Sequence, residues 1–526
     1  MEGVTIITDA RAITCNPRAH SGRLSIVVRN GRIADLSPNA RLLLSLYPGA
    51  QTIDARNKLV IPGFVNAHFQ SESLLLKEFT TGRPVSLWGE DVRIQERLAR
   101  LVDPACVEDL RALYLMAYFN HLRNGTTCVG EFPPMVDSKG LLTLLQAMKR
   151  TDVKSVVTLQ SWDQINGARE IPADRQKFAL SIGRETDFTV YTFQSFSRAA
   201  KEMNIPLTAH VAEQKEDVEA VKRNFQKGTV GLLRDFKVLQ PPTILVHLNH
   251  AAEEEIALAA ESGCALVLCA RSAAMKRTGY PSLRHMAAHD IPLCIGTDWG
   301  SMDMLEEMRF ISQLPLLFAG MPTFTPLEIL SMATTNGADA LGLGNEVGSI
   351  AQGKKADLVF FDLNGLRGDL LDENPSEEAM ASFLLNHLSV RDIAEVMIDG
   401  VFRVSGGHVL AMPEEEIIAG YRKTVEKFSL IGSAPPPPVA GTAKPQQELH
   451  PKIIPFVASD RVVSEPDGFE EGFTVVDKPA AEPQEPPAPA PKPAPPPSQP
   501  QDRNVLKPEL SKNVRKVFGD DDDPAG

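Results

Sequence analysis

Short apolar runs recur along residues 61–345, and stretches with helical spacing of apolar residues separate them. The runs predict buried strands and are VIPGFVNAH, TTCVGEF, SVVTLQS, PLTAHVAE, TILVHL, ALVLCA and PLCIGTD, with one further strand expected near Phe178–Gly183. The stretches that predict helices include Cys106–Arg123, Lys215–Phe225, Glu253–Ser262 and Leu305–Gln313. Strands that alternate with helices indicate βαβ units and a parallel sheet.

Strand-rich segments flank this alternating region on both sides. The segment LSIVVRNGRIADLS predicts a β-hairpin with Asn30-Gly31 at its bend. Residues 396–410, VMIDGVFRVSGGHVL, predict a second hairpin with Asp399-Gly400 at the bend. Asn-Gly and Asp-Gly pairs between alternating apolar residues are strong short-range hairpin signals, because both residues tolerate positive φ.

Several predicted strands close on a polar group that is able to bind a metal ion or move a proton. These groups are His68, Gln70, His210, Glu213, His247 and Asp298. Residues i and i+2 of an extended strand point to the same side, so His68 and Gln70 would project together. In a parallel barrel the side chains at the C-terminal strand ends converge, so the whole set is expected at one rim.

The ordered set PGFVNAH, HVAE, LVH and GTD resembles the amidohydrolase superfamily, and the branch it resembles contains cytosine deaminases, adenosine-type deaminases and chlorohydrolases. Supporting motifs are LRNGTT, CARSAAM, LEEMR, ATTNGADALGL and GSIAQGKKADLVFFD. The resemblance covers roughly residues 3–412. It implies an α/β fold, a (β/α)8 TIM barrel with a small composite β-sandwich built from both ends of the chain.

On this basis we expect four regions. Residues 1–60 and 346–431 would supply the two parts of the β-sandwich, and residues 61–345 the barrel. Residues 432–526 contain APPPP and PQEPPAPAPKPAPPPSQP, a composition that predicts a disordered tail. Within it, residues 504–519 predict a short amphipathic helix, for which we hypothesise a protein partner; a solubilising tail without a partner is the alternative.

The resemblance also implies a site with one divalent metal ion, zinc first and Fe²⁺ or Mn²⁺ as alternatives. His68, His210 and Asp298 would be ligands, with Gln70 at the position where the family supplies a second histidine. Glu213 would carry a proton, Asp298 would join in catalysis, and His247 would polarise the substrate. Zinc sites that act in catalysis leave a position for water and lower its pKa from about 15.7 to about 7.

Two departures from the family pattern change these expectations. A glutamine amide oxygen is a poor zinc ligand beside imidazole, so Gln70 predicts weaker metal binding or none. The stretch SIGRETDFTVYTFQSF also lacks the proline-histidine motif that many relatives carry before the HVAE strand. The substrate pocket is therefore expected to differ from that of the well-known deaminases.

Charge and composition exclude some classes of function. The net charge of −13 argues against a nucleic-acid-binding surface, which needs a basic stripe. We find no signal peptide and no apolar run near the ~20 residues that a membrane-spanning helix needs. The six cysteines form no CxxC pair and predict reduced, buried thiols in a cytoplasmic protein.

The function that the residues and the resemblance favour is hydrolysis of non-peptide carbon–nitrogen bonds by metal-activated water. The substrate would be a small molecule, either cyclic amidine-like or amide-like, or purine-like or pyrimidine-like. A homodimer is the expected assembly. One alternative is a catalytically degenerate barrel that serves as a scaffold and interacts through its C-terminal tail. Another is a barrel that binds a ligand without turnover.

Overall fold

The computed structural model describes most of the first 429 residues: 3–19, 21–171, 176–240, 242–320, 322–364, 371–410 and 412–429. The predicted disordered tail at 432–526 and its amphipathic helix at 504–519 lie outside the described residues. The residue boundaries of the predicted domains stay a prediction.

The strands are numbered in chain order. They are β1 (Val4–Ala12), β2 (Gly22–Arg29), β3 (Arg32–Ser37), β4 (Gln51–Asp54), β5 (Lys58–Pro62), β6 (Phe64–Phe69), β7 (Thr126–Glu131), β8 (Lys154–Leu159), β9 (Gln176–Ser181), β10 (Leu207–Val211), β11 (Thr243–His247), β12 (Ala265–Leu268), β13 (Leu293–Ile295), β14 (Leu358–Asp362), β15 (Ile393–Ile398), β16 (Val401–Ser405) and β17 (His408–Val409).

The α-helices are numbered in the same way. They are α1 (Ala40–Leu46), α2 (Ser73–Thr80), α3 (Val92–Val102), α4 (Val107–Arg123), α5 (Ser138–Thr151), α6 (Trp162–Arg169), α7 (Val190–Met203), α8 (Lys215–Phe225), α9 (Thr229–Asp235), α10 (Glu253–Glu261), α11 (Ala270–Lys276), α12 (Leu283–Ala288), α13 (Met304–Ala319), α14 (Pro326–Met332), α15 (Thr335–Ala340), α16 (Glu377–His387) and α17 (Glu414–Ser429). Every helix within the described ranges is too short or too polar to span a bilayer.

Strands β6 to β13 form a parallel sheet in which each strand pairs with its neighbour in the chain. Helices lie between successive strands, as the alternation of patterns predicts, and the (β/α)8 barrel is confirmed. The strand expected near Phe178–Gly183 is β9. The barrel closes where the segment after β13 meets β6: the amide N–H of Asp298 donates to the carbonyl of His68 at 2.9 Å.

The strands from the two ends of the chain form a second sheet. Its order is β17-β16-β15-β14-β5-β1-β2-β3, with β4 paired to β1, so strand β5 from the first end pairs with β14 from the second. Both predicted hairpins are present, and their bends have positive φ: 52° and 74° at Asn30-Gly31, 48° and 75° at Asp399-Gly400. The prediction that strands from both ends of the chain form one composite β structure is therefore confirmed, and this second sheet is called the β unit.

The passage from this sheet into the barrel corrects one prediction. We expected VIPGFVNAH to be a single strand, but β5 ends at Pro62 and β6 begins at Phe64. A Cβ atom on Gly63 would lie 2.1 Å from Oγ1 of Thr127 on β7, so only glycine fits this crossing point. The apolar run is continuous because both strands are buried, and periodicity alone does not show the break between them.

Candidate active site

Three side chains predicted as metal ligands meet at the C-terminal rim of the barrel. Nε2 of His68, on β6, lies 3.2 Å from Nε2 of His210, on β10. The same His68 nitrogen lies 3.6 Å from Oδ1 of Asp298, which follows β13. All three residues are buried, Asp298 completely. Residues separated by up to 230 positions in the chain thus surround one point.

Small residues and backbone contacts make this approach possible. A Cβ atom on Gly296 would lie 2.8 Å from Cβ of His68, so the glycine lets the segment after β13 pass close to β6. Asp298 has a φ of 47°, in the left-handed region that non-glycine residues seldom adopt. Positive φ is common in turns and at helix ends, but at the end of a barrel strand it directs the side chain toward the rim.

His247 reaches the rim through a similar departure from regular strand geometry. On β11, Ile244 and Val246 face the barrel interior while Leu245 packs outside, so strict alternation would send His247 outward. Its φ of 86° breaks the alternation, and its ring centroid lies 5.4 Å from that of His210. Neither ring nitrogen of His247 has a hydrogen-bond partner among the described residues. Burial lowers the pKa of this imidazole to about 4, so it is neutral.

Glu213 stands opposite His247, with 3.7 Å between Oε2 and Nε2 of the histidine. It follows β10, and Ala212 before it has a φ of 50°. Burial by itself would raise the pKa of Glu213, but the Lys276 ammonium and His247 lower it to about 2, so the carboxylate is ionised. One ligand atom each from Glu213, His247 and Asp298 lies within 4.8 Å of the others.

Lys276 is the functional candidate that the sequence analysis missed. It is the last residue of α11 and is 4% exposed. Its Nζ lies 2.7 Å from Oε1 of Glu213 and 2.5 Å from Oδ2 of Asp298. The motif CARSAAM stops one residue before it. A signal was present nonetheless, since a barrel rim with two predicted carboxylates needs a cation nearby.

Gln70 and Ser272 orient Asp298. The Gln70 amide nitrogen donates to Oδ1 of Asp298 at 2.8 Å, and its oxygen accepts from Nε1 of Trp299 at 3.1 Å. The indole can only donate and the carboxylate can only accept, which fixes the orientation of the amide. The amide oxygen of Gln70 is therefore turned to Trp299, whereas a metal ligand, the role we expected, would turn it toward the ion. The hydroxyl of Ser272 donates to Oδ2 of Asp298 at 2.7 Å.

The loop that carries Gln70 is held from behind by Glu131, at the end of β7. Its Oε1 accepts from the Ser71 amide at 3.1 Å and from the Ser71 hydroxyl at 2.7 Å, and Oε2 accepts from the Tyr118 hydroxyl at 3.1 Å. Burial raises the pKa of Glu131 to about 7. A buried, hydrogen-bonded acid of this kind fixes the position of the residue that follows the strand.

The donor set fits a divalent ion. Ligand atoms about 2.0–2.2 Å from a tetrahedral zinc lie roughly 3.3–3.6 Å from one another. The two distances from Nε2 of His68, 3.2 Å to His210 and 3.6 Å to Asp298, are close to this range. Burial and the neighbouring His68 and His247 hold the pKa of His210 well below its ordinary value, so this imidazole is neutral and free to coordinate. Two nitrogens and one carboxylate oxygen are a typical donor set for zinc in a catalytic site.

A cavity of about 420 Å³ opens onto this group. Its walls combine aromatic side chains with polar ones: Gln70, Trp88, Phe132, Gln160, Arg184, Asp187, Thr192, His210, Glu213, Lys276 and Trp299 are among them. Trp88 packs against Trp299 with the ring centroids 4.6 Å apart and the ring planes tilted by 57°. A larger cavity of about 910 Å³ is lined by residues such as Cys15 and Phe324 and contains no histidine, so we place the site at the smaller one.

The fold and the donor set define a metal-dependent hydrolase that acts on carbon–nitrogen bonds. The chain belongs to the amidohydrolase family, whose sequence model matches residues 59–402.

Comparison with known proteins gives relatives of the same kind. The chain is 27% identical over 420 residues to the 5-methylthioadenosine/S-adenosylhomocysteine deaminase of Moorella thermoacetica, a match that covers 77% of this chain and 95% of the relative. Among solved structures, its fold is similar to that of an adenosine deaminase from Xanthomonas campestris with bound zinc (TM-score 0.72, 23% identity, 81% of this chain and 99% of the other). It is also similar to that of a guanine deaminase from C. acetobutylicum (TM-score 0.65, 19% identity, 76% and 100%).

Proposed function

We propose that this protein is a deaminase that hydrolyses an exocyclic carbon–nitrogen bond of a purine-like ring, with one zinc ion as its metal. The observation that carries the proposal is the convergence of His68, His210 and Asp298 beside an ionised Glu213 and a neutral His247, whose ring nitrogens have no hydrogen-bond partner in the described part of the chain. The bound ion would supply a water molecule with a pKa near about 7. The names of the relatives support the substrate class.

Each protein group then has a role set by its geometry. His68, His210 and one oxygen of Asp298 hold the ion. Glu213 is ionised and faces the same space, so it can accept a proton from water and pass it to the departing amino group as ammonia forms. Within the described ranges the ring nitrogens of His247 make no hydrogen bond, and the imidazole is placed to hydrogen-bond a ring nitrogen of the substrate.

Gln70 has a different role in this proposal from the one expected from the sequence. It is an orienting group and not a ligand, because its amide oxygen is held by Trp299 and its amide nitrogen donates to Asp298. Groups that hold a ligand in place typically change metal affinity by 10–100-fold. The site therefore keeps three protein ligands, which is the number usual for catalytic zinc.

The walls of the cavity favour a flat ring with a polar substituent. Trp88 and Trp299, which pack against each other at a tilt, offer aromatic surface near the proposed metal ligands, as does Phe132. Arg184 and Asp187 stand elsewhere in the wall, and Arg184 is paired with Asp217. A nucleoside has an aromatic ring, which would lie against the aromatic side chains, and a polyhydroxylated sugar, which would face Arg184 and Asp187. Adenosine-type nucleosides therefore suit the cavity better than simple amides.

Ammonia release from defined substrates tests this function. Full-length protein loaded with Zn²⁺ is incubated with adenosine, 5′-methylthioadenosine, S-adenosylhomocysteine and guanine, and ammonia and the ultraviolet spectrum of the base are followed. We expect turnover of at least one nucleoside, and none with an Asp298→Asn variant. Ammonia release no faster than in the variant for all four compounds would reject the deaminase.

The remaining expectations are part of this proposal. A cytoplasmic location and a homodimer are expected from the sequence, and the tail at 504–519 keeps its hypothesised protein partner. Sedimentation of the purified chain checks the dimer, and comparison with a chain that ends at residue 431 checks what the tail adds.

A further inference from the structure

Lys276 is a cation built into the site beside the expected metal ligands. Its ammonium lies 2.7 Å from Glu213 and 2.5 Å from Asp298, and its side chain is 5% exposed. Little water reaches this ammonium to screen its charge, so its interaction with nearby charges is stronger than at the surface. Any second cation that enters the site meets carboxylates that Lys276 already neutralises in part.

The hydrogen bonds to Asp298 show how much of its capacity to accept further partners is already used. Oδ2 accepts from both Lys276 and Ser272, and Oδ1 accepts from Gln70. An ionised carboxylate offers about four lone-pair positions, so three are already engaged. Asp298 is left with room for one further partner, on the side where His68 lies 3.6 Å away.

We propose that Lys276 sets the metal affinity of the site by competing, as a fixed positive charge, with the divalent ion for Glu213 and Asp298. This inference depends on the metal site within the proposed function. Formal charges of these three groups sum to −1 in the natural protein. In a Lys276→Met variant they sum to −2, in Glu213→Gln to 0, and in the double variant to −1.

The experiment measures the Kd of Zn²⁺ and of Mn²⁺ for the full-length protein by competition with a chromophoric chelator, without any substrate. We expect Lys276→Met to bind at least about tenfold more tightly than the natural protein and Glu213→Gln at least about tenfold more weakly, the order expected for charges a few ångströms apart at an effective dielectric constant of about 20. The double variant and Lys276→Arg should match the natural protein.

A matched control is Lys154→Met. Lys154 is also buried, with 8% of its side chain exposed, and its Nζ lies 2.7 Å from Asp357 and 3.0 Å from Asp399. Its loss should leave both Kd values unchanged, because the predicted metal ligands lie elsewhere. The double variant keeps the charge balance and tests the inference even where Lys276→Met is too unstable to purify.

Affinities that do not follow the sum of charges would overturn the role of Lys276 and leave the deaminase proposal standing. Equal Kd values for the natural protein, Glu213→Gln and the double variant are such a result. Absence of metal binding in every variant would overturn both. Ammonia release with Zn²⁺, measured separately, distinguishes failure of the function from failure of this inference.

Discussion

The barrel carries a buried lysine between two carboxylates at each end. At one rim Lys276 lies between Glu213 and Asp298. At the other end Lys154, the first residue of β8, lies between Asp357 and Asp399 of the β unit. The two clusters have the same chemical groups and nearly the same distances, yet they differ in what surrounds them.

The cluster around Lys154 is closed by further partners. Asp357 also accepts from the amide of Asp399 at 2.9 Å, and Lys355 lies 3.4 Å from Asp399. The cluster around Lys276 faces imidazoles, strained backbone and a cavity, and His247 has no hydrogen-bond partner among the described residues. Polar networks in which every group has a partner stabilise a fold, whereas a network with unsatisfied groups beside a cavity is a candidate for ligand binding.

The largest contrast is expected from one substitution made at each end. Asp298→Asn should lower kcat/KM for the deaminated substrate by about 10³-fold or more, because it removes a proposed metal ligand beside the proton-carrying Glu213. Asp357→Asn should leave kcat/KM unchanged at temperatures where the protein is folded. Steady-state ammonia release measures both. Equal losses of activity at the two ends would contradict the comparison.

Substitution of Lys154, in the closed cluster, should lower the stability of the fold without changing metal binding. Lys154→Met leaves Asp357 buried without its cation, while Asp399 keeps Lys355 at 3.4 Å. Removal of one partner of a buried ion pair typically costs about 3–5 kcal/mol. We expect a lower Tm by thermal denaturation and an unchanged Kd for Zn²⁺. Lys154→Arg, which keeps the charge, is the control and should recover part of the Tm.

Substitution of Gln70 tests whether a residue at the rim affects metal binding through its hydrogen bond to Asp298. Gln70→Ala removes the hydrogen bond to Oδ1 of Asp298 and should weaken Zn²⁺ binding by about 10–100-fold. A surface glutamine, Gln352, bonded to the carbonyl of Ala34, is the matched control, and its change to alanine should have no effect. Tighter Zn²⁺ binding by Gln70→Ala would show that the amide opposes the metal.

The smallest effect is expected from a buried imidazole outside both clusters. His121 packs on Phe69 at 4.5 Å, and burial lowers its pKa from 6.5 to about 3. The unfolded chain therefore gains a proton as the pH falls below 6.5 while the folded protein does not, and stability is lost between pH 6.5 and about 3.

A His121→Phe variant should escape this loss, so that between pH 7.5 and 5 it loses about 2 kcal/mol less unfolding free energy than the natural protein. Denaturant midpoints at the two pH values measure it. His387→Gln, on an exposed position of α16, is the control, and an equal pH dependence in all three proteins would refute the assignment.

Much of the fold followed from local pattern. Apolar runs separated by helical stretches predicted the barrel, and Asn30-Gly31 and Asp399-Gly400 predicted hairpins that are present, because a two-residue bend with positive φ depends on those residues alone. The strict requirement for glycine at residue 63 was not predicted. It depends on Thr127, a residue from a later strand, and no short-range pattern contains that information.

The sequence by itself determined which strand ends carry polar side chains, since His68, His210 and Asp298 each close an apolar run. Only the tertiary structure decided how the groups at the rim are placed and which partners they have. His247 turns inward through a positive φ, Gln70 is held by Trp299, and Lys276 arrives from the end of a helix. Those roles depend on distances between residues far apart in the chain, which a linear pattern does not contain.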